Sequence, residues 1–364
     1  MQKHHPKNER IKRKYLAYLE EAKRLSTKSA DLAAASIAQF ETSTGYKDFA
    51  AFHIDQARKF KSNLNDHINQ DTGRELAKAT IHARLMAVKA FIIWLAGQPG
   101  YKSRINYSDA EYFNPSANDT RIATAKRERP TPSLEQIRHV IAGMPIATDI
   151  HKRDRALVAF VALSGARDDA IASLRLKHLD LAARTISQDA RQVRTKNRKT
   201  FTTHFFPVGN DLEAIVVAWV SHLRTALLFG PDEPLFPATL VQVGKSGHFE
   251  AVGLTRDGWR NADAIRRIFK TTFEGANLPY SNPHSIRKTL ALLGEQICKT
   301  PEDFKAWSQN LGHDQVLTTF TSYGTVSSHR QREIMTGLCS ASFTINDAVS
   351  HDDIARVLKY LSNK

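Results

Sequence analysis

The sequence feature that most restricts the fold of this chain is an apolar stripe at helical spacing between residues 80 and 96. The stripe consists of Ile81, Leu85, Val88, Phe91, Ile92 and Leu95. Gly97 and Pro99 follow it, and both residue types end helices, so the segment is predicted to be one long amphipathic helix. Shorter stripes with the same period precede it, beside clusters of Lys and Arg. Residues 1–113 are therefore predicted to form a bundle of about four or five helices with basic edges.

Residues 114–132 have the composition of a connector between two domains. They contain three prolines and almost no large apolar side chain. A basic connector between two lobes is also well placed to cross a phosphate backbone. We therefore expect a solvated linker, whose cations Lys126, Arg127 and Arg129 are candidates for contacting such a backbone.

A second domain is predicted over residues 133–340. Ser133 followed by Gln136 is the pattern of a capping box at a helix N-terminus. Between residues 184 and 208, β-branched and aromatic residues flank the polar turn 196–199, which predicts a hairpin or a three-stranded antiparallel sheet. The glycine-rich stretch 244–258 is predicted to be a loop between helices. The chain as a whole is expected to be mainly α with one small antiparallel β-sheet.

The charge of the chain favours a polyanionic partner. Its 52 Lys and Arg against 37 Asp and Glu give a net charge of +15 and a pI near 9.8. Nucleic acid ranks ahead of an anionic membrane, because no apolar run is judged to approach the roughly 20 residues of a membrane span and no signal peptide is recognised. Two cysteines, Cys298 and Cys339, are too few for a disulfide framework or a cysteine zinc site. A cytoplasmic DNA-binding protein is expected.

Side chains that could act together on a phosphodiester are spread over the second half of the chain. They occur in Ser164-Gly165-Ala166-Arg167, in His284-Ser285-Ile286-Arg287, in Leu311-Gly312-His313, and at Tyr323, ten positions after His313. A guanidinium fork suits two non-bridging phosphate oxygens, and residues three apart on a helix share a face. A phenol can attack phosphorus while cations and hydrogen-bond donors stabilise the developing charge. These groups could cleave DNA without a metal ion.

The order of these motifs resembles that of the tyrosine recombinases, also called phage integrases. The resemblance covers roughly residues 133–338 and extends more loosely to the helix at 80–94. It implies a helical, SAM-like core-binding domain (1–113), a basic interdomain linker (114–132) and a mixed α/β catalytic domain (133–340). It also implies that residues 341–364 form a C-terminal helix that docks on a neighbouring subunit. Their apolar residues Ile354, Val357, Leu358 and Leu361 would lie on one face of that helix.

The same resemblance implies the reaction and the role of each residue. Tyr323 would be the nucleophile, and Arg167, Arg287 and His313 would bind the scissile phosphate, with His284 orienting groups or moving a proton. The substrate would be double-stranded DNA at a specific site. It would be cleaved and rejoined through a 3′-phosphotyrosyl link by a tetramer on DNA, with no metal ion, ATP or other cofactor.

Several alternatives stay open at this point. The general acid is either Lys196 or Lys199; Lys196 is preferred, and Lys199 and Arg198 are then candidate DNA contacts. Tyr280 and Tyr360 compete with Tyr323, but Tyr280 precedes the Leu-Gly-His motif and packing is the likelier role of Tyr360 in the terminal helix. Tyr323 follows both this motif and the pair Thr318-Thr319. The rival functions are a type IB topoisomerase and a DNA-binding protein that does not cleave. Metal binding by the two histidines is disfavoured, because no Asp, Glu or Cys stands at ligand spacing beside them.

The chain departs from the family pattern at two places. The acidic residue that the family usually has three positions after the first arginine is Ala170 here, although Asp168 and Asp169 precede it. The interval from His313 to Tyr323 is one residue longer than usual.

Overall fold

The computed structural model describes residues 4–68, 73–125, 131–244, 247–313, 331–332 and 336. The chain divides into two compact units, Met1–Arg127 and Glu128–Lys364. The division falls inside the segment predicted to connect two domains. Each unit is described by itself.

The first unit is helical, as predicted. Its α-helices are α1 (Pro6–Ala17), α2 (Thr27–Ser43), α3 (Ile54–Asn65), α4 (Lys78–Ala96) and α5 (Ala117–Thr124). A π-helical turn at Tyr18–Ala22 extends α1, and 3-10 helices occupy Phe49–Ala51 and Tyr107–Phe113. All six side chains of the predicted apolar stripe of α4 are buried, which confirms its orientation. They pack with a cluster of phenylalanines in which the rings of Phe40 and Phe60 meet edge to face at 5.3 Å.

The sequence-based statement that no run approaches the length of a membrane span was wrong for α4. Among the described helices, this one, with 19 residues, is long and apolar enough to cross a membrane by length and composition. Its apolar face is nevertheless covered by the aromatic cluster of its own unit, which is the usual position of a core helix. Burial in this core accounts for its composition without a bilayer.

The connector was predicted over residues 114–132, but its N-terminal part contains a helix. Residues 117–124 form α5, which packs on α4 and is capped by the Ser116 hydroxyl accepting from the Asp119 N–H at 3.0 Å. Lys78 at the start of α4 pairs with Asp119 at 3.0 Å. No residue of α5 is buried. A polar helix of this kind is held by its cap and its ion pair, and it therefore shows no apolar stripe in the sequence.

The second unit is also mainly helical. Its helices are α6 (Leu134–Gly143), α7 (Asp149–Ser164), α8 (Asp168–Ile171), α9 (Asn210–Thr225), α10 (Asp263–Gly275), α11 (Pro283–Ile297) and α12 (Pro301–Asn310). The predicted capping box at the start of α6 is confirmed by reciprocal bonds between Ser133 and Gln136. Helix α7 is central: residues 156–162 are fully buried, and the helix packs against α6, α9 and α11.

The predicted antiparallel sheet is present and has three strands in the order β1 (Leu179–Asp180), β2 (Thr185–Gln188), β3 (Phe201–His204). Ile186 of β2 lies opposite Thr203 of β3, and Ile186 faces the core of the unit. The polar turn 196–199 belongs to the β2–β3 connection. The mainly helical class with small antiparallel sheets is confirmed.

The stretch 244–258 was wrongly predicted to be a loop throughout. Strands β4 (Thr239–Val243) and β5 (Phe249–Leu254) form an antiparallel hairpin, in which Val243 lies opposite Phe249. The β-branched and aromatic residues on either side of Gly244 and Gly247 build the strands, and the glycines occupy the turn region. The sequence interpretation gave the glycines too much weight and these flanking residues too little.

Candidate active site

The corner between α7 and α8 positions Arg167. Gly165 ends α7 in the left-handed region, with φ +57°. A Cβ at this position would lie 2.9 Å from Leu290 Cδ1 of α11 and 3.0 Å from Leu311 Cδ2. Glycine thus allows both the turn and the close approach of α11 and the end of α12. Arg167 follows in an extended conformation and begins α8, so its placement depends on this tight corner.

The N-terminus of α11 carries the next two side chains of the set. Asn282 caps the helix by accepting a hydrogen bond from the Ser285 N–H at 3.0 Å, and Pro283 occupies the first turn. His284 and Arg287 follow one turn apart, so they share a helical face. The predicted HxxR helix is therefore present, with a cap that fixes where it begins.

The Arg287 guanidinium joins three segments of the chain. Its Nη1 donates to the carbonyl of Gly165 and its Nη2 donates to the carbonyl of Leu311 at 2.6 Å. The same Nη2 lies 3.4 Å from Nε2 of His313. Only 2% of Arg287 is exposed. A buried cation needs such partners, and these carbonyls draw the α7–α8 corner and the end of α12 against α11.

His313 is fixed by the end of α12. Asn310 of that helix exchanges two hydrogen bonds with the backbone of His204 in β3, at 2.7 and 2.9 Å. Gly312 is left-handed, with φ +72°, and a Cβ there would lie 2.8 Å from the ring of Phe201. The backbone N–H of His313 donates to Ser308 at 3.2 Å. The Leu-Gly-His motif therefore ends α12 against β3 and turns His313 towards Arg287.

Both histidines are held in the neutral form. Burial lowers the pKa of His284, and the positive charges of Arg287 and Arg167 lower it further. Burial and the same two arginines lower the pKa of His313 to about 4. At neutral pH each imidazole can therefore donate and accept a hydrogen bond without adding charge to the cluster.

Arg167, His284 and Arg287 line one cavity of about 300 Å³. His313 adjoins it through Arg287. The structure thus brings together four of the residues that the sequence places in the site. Three further residues with titratable side chains also line this cavity, and they are Asp168, Arg266 and Tyr280. No motif marks Arg266, which is one of two adjacent arginines on an amphipathic helix.

The two candidate lysines lie near different histidines. The turn is a 3-10 helix, Lys196–Arg198, in which Asn197 and Arg198 have positive φ. The charge of Lys196 contributes to the lowered pKa of His284, and the charge of Lys199 contributes to that of His313. The charges of both lysines thus act on histidines of the site, and the choice between the two stays a prediction. Arg198, a candidate DNA contact, is exposed.

Several predicted residues lie outside the described part of the chain. They are Lys126, Arg127 and Arg129 of the connector, the nucleophile Tyr323, its competitor Tyr360, and the terminal helix 341–364. Among the described residues, no group of three or more His, Cys, Asp and Glu side chains is arranged to hold a metal ion.

The chain was compared with protein-family models and with curated proteins. No protein-family model matches the chain. It is 23% identical over 286 residues to the tyrosine recombinase XerC of Oceanobacillus iheyensis, covering 78% of this chain and 79% of XerC. It is 25% identical over 279 residues to the tyrosine recombinase XerC of Pseudomonas putida, covering 76% and 77%. Over most of its length, the chain is therefore similar to curated tyrosine recombinases.

Solved structures of two integrases share the fold of this chain. The structure of a lambda integrase dimer bound to a COC′ core site superposes with a TM-score of 0.59 at 11% identity, covering 87% of this chain and 95% of that one. The integrase of transposon Tn1549, in complex with transposon right end DNA, gives a TM-score of 0.57 at 14% identity, covering 90% and 99%.

The departure from the family pattern at Ala170 has a structural explanation. Ala170 is fully buried in the core of the second unit, where a carboxylate would be costly to place. The neighbouring Asp168 instead points to α10, where it accepts a hydrogen bond from Arg266 Nε at 2.8 Å. The carboxylate of Asp168 therefore pairs with Arg266 of α10.

The lowered pKa of His313 predicts a pH dependence of stability. In the unfolded chain this histidine binds a proton near pH 6.5, whereas in the folded protein it does so only near pH 4. The unfolded state therefore gains the proton first, and the free energy of unfolding should fall between pH 6.5 and pH 4. In urea titrations across this range, His313→Gln should reduce that fall by on the order of 2 kcal/mol. An unchanged pH profile would contradict the burial of a neutral His313.

Proposed function

We propose that this protein is a site-specific DNA recombinase that cleaves and rejoins double-stranded DNA through a phosphotyrosyl intermediate. The observation that carries the proposal is the Arg287 guanidinium. It lines one cavity with Arg167 and His284 and lies 3.4 Å from His313. Two guanidinium groups and two neutral imidazoles suit one phosphodiester, because they match its charge and offer hydrogen bonds to its oxygens. The net charge of +15 suits a DNA partner.

In the proposed cleavage step, the phenol oxygen of Tyr323 attacks the scissile phosphorus and a P–O bond to the tyrosine forms as the bond to the 5′-oxygen breaks. The phenol proton passes to a neutral base in the site, for which His284 is the candidate. Arg167, Arg287 and His313 hold the negative charge that grows on the non-bridging oxygens. Lys196 donates a proton to the leaving 5′-oxygen.

Rejoining is the reverse of this step with a 5′-hydroxyl from a second DNA. The phosphotyrosyl link conserves the energy of the broken phosphodiester, so the cycle needs no ATP, and the charge stabilisation that a metal ion could provide comes from arginines. Exchange between two sites requires four cleaving subunits. We therefore propose a tetramer on DNA, with residues 341–364 as the docking helix, and a nucleoid-associated, cytoplasmic location.

Strand exchange is the experiment that tests this function. A site would first be selected from a random duplex pool by the full-length protein. Two end-labelled duplexes of different length carrying the selected site would then be incubated with the protein in EDTA. The proposal expects hybrid-length products. Relaxation of a supercoiled plasmid without hybrids would instead indicate a topoisomerase, and binding without any strand breakage would indicate a DNA-binding protein.

The choice between the two lysines makes a separate prediction. Lys196→Ala should slow single-turnover cleavage by on the order of 10²–10⁴-fold, because a general acid then no longer protonates the leaving oxygen, and Lys199→Ala should slow it much less. A DNA substrate with a 5′-phosphorothiolate at the scissile position has a leaving group that needs no proton. It should restore the rate of Lys196→Ala. Rescue of Lys199→Ala and not of Lys196→Ala would assign the role to Lys199.

A further inference from the structure

Arg266 is an arginine that lines the cavity and has no role in the proposed reaction. It lies in the second turn of α10 and is held by two carboxylates. Its Nε donates to Asp168 Oδ2 at 2.8 Å and its Nη1 donates to Asp263 Oδ1 at 3.2 Å. Asp168 directly follows Arg167 at the start of α8. The ion pair therefore ties α10 to the residue next to the first arginine of the site.

The remaining end of this guanidinium is available to a ligand. Nη2 of Arg266 forms no hydrogen bond within the part of the chain that the structure describes, and 43% of the side chain is exposed. The residue lines the same cavity as Arg167, His284 and Arg287. Its charge also acts at the mouth of that cavity, since it opposes the rise in the pKa of Tyr280 that burial causes there. The guanidinium is thus oriented by its carboxylates and still open towards the cavity.

The charges in the cavity favour a partner for Arg266 other than the scissile phosphate. A phosphodiester carries one negative charge, and the site already directs Arg167 and Arg287 at one such group. Successive phosphates of one strand are separated by only about 3.4 Å along the helix axis, so a strand bound in the site brings further phosphates close to it. A third, carboxylate-oriented guanidinium in the same cavity fits one of these.

We propose that Arg266 binds a DNA phosphate adjacent to the scissile phosphate, and that Asp168 fixes the orientation of Arg266 for this contact. The inference rests on the proposed function, because it requires a DNA strand in the cavity. It makes Arg266 a substrate-binding residue and Asp168 a positioning residue. Asp168 thus follows Arg167 in the chain and forms an ion pair with Arg266.

Binding measurements with a matched control test the contact. Arg267 is the control, because it is the next residue of α10, is exposed, and lines a different cavity. On the duplex selected by the wild-type protein, Arg266→Ala should weaken binding about tenfold and lower the slope of log affinity against log salt by about one unit. Arg267→Ala should leave the affinity within twofold of wild type and the salt slope unchanged. Equal effects of the two substitutions would contradict the proposal.

Neutral phosphates locate the contact on the strand. A methylphosphonate would replace one phosphate at a time on either side of the cleavage position. At the contacted phosphate this change should weaken binding by the wild-type protein and have no further effect on Arg266→Ala, as a double-mutant cycle requires for interacting groups. If Arg266→Ala couples only with a methylphosphonate at the scissile position, or with none, the assignment of Arg266 to an adjacent phosphate is overturned.

Asp168→Asn keeps the proposal testable if Arg266→Ala does not fold. This variant retains the charge of Arg266 and removes the carboxylate that orients it. We expect weaker binding with an unchanged salt slope, because the number of phosphate contacts is kept. Unchanged binding, together with a lower melting temperature, would show that the ion pair is only structural. If the wild-type protein binds DNA but forms no covalent adduct, the proposed function is refuted. If the wild-type protein cleaves DNA and Arg266→Ala binds DNA as tightly as wild type, only the inference about Arg266 is refuted.

Discussion

Replacing Tyr323 by phenylalanine should abolish covalent attachment of this protein to DNA and leave its affinity for DNA within a few-fold of wild type. The phenol oxygen would supply the only nucleophile, so its loss removes the reaction. Binding rests on many phosphate contacts, which the substitution leaves in place. The measurement is denaturing electrophoresis of the protein with a nicked substrate that traps the adduct, accompanied by a binding titration on the same duplex.

Tyr280→Phe is the matched control for this prediction. Tyr280 lines the cavity with Arg167 and His284, and it is 45% exposed. It is thus the tyrosine near enough to compete among the residues that the structure describes. We expect the Tyr280 variant to keep forming the adduct. An adduct that persists in Tyr323→Phe and disappears in Tyr280→Phe would transfer the nucleophile to Tyr280.

Arg167→Ala should slow single-turnover cleavage on the order of 10²–10³-fold or more, as loss of a donor to a developing oxyanion does. Arg167 bounds the cavity at the α7–α8 corner and is only partly buried. Its removal is therefore expected to leave the free energy of unfolding within about 0.5 kcal/mol of wild type. A folded Arg167→Ala protein with wild-type cleavage would show that this arginine is structural or superficial.

Arg287→Ala should cause a similar loss of cleavage and also destabilise the protein. The substitution leaves the carbonyls of Gly165 and Leu311 without their donor in a buried position. We expect a loss of roughly 1–3 kcal/mol in the free energy of unfolding. Arg287→Lys keeps the positive charge but lacks the two-pronged guanidinium. Relative to Arg287→Ala, it should therefore restore stability more than it restores the cleavage rate. Equal recovery of both would argue that the fork does not contact the phosphate.

The parts of the site that could be predicted from sequence are those with local determinants. Asn282 and Pro283 mark the start of α11, and the three-residue interval then places His284 and Arg287 on one face. The glycines at 165 and 312 were parts of motifs, and each proves to be required by a close approach of another segment. Spacing along a helix or around a turn is a local property of the sequence, which is why the helical placement of His284 and Arg287 could be predicted.

The contacts that the sequence could not supply join distant segments. Arg266 and Asp168 are 98 residues apart, and no local pattern links them. Helix α5 was missed because a cap and an ion pair hold it without an apolar stripe, and hairpin β4–β5 because its glycines were taken as a loop. Only packing in three dimensions reveals such pairs. The assignment of Tyr323 and the choice of Lys196 stay predictions.

The central claim, that Tyr323 forms a 3′-phosphotyrosyl bond, is tested most directly by mapping the covalent adduct. Wild-type protein would be incubated in EDTA with a nicked duplex of the selected site, and the adduct digested with trypsin and nuclease for mass spectrometry. We expect the nucleotide-bearing peptide to contain Tyr323, joined to a 3′-phosphate, and the released strand to end in a 5′-hydroxyl. A 5′-linked adduct, attachment at any other residue, or an adduct that forms only with Mg²⁺ would contradict it.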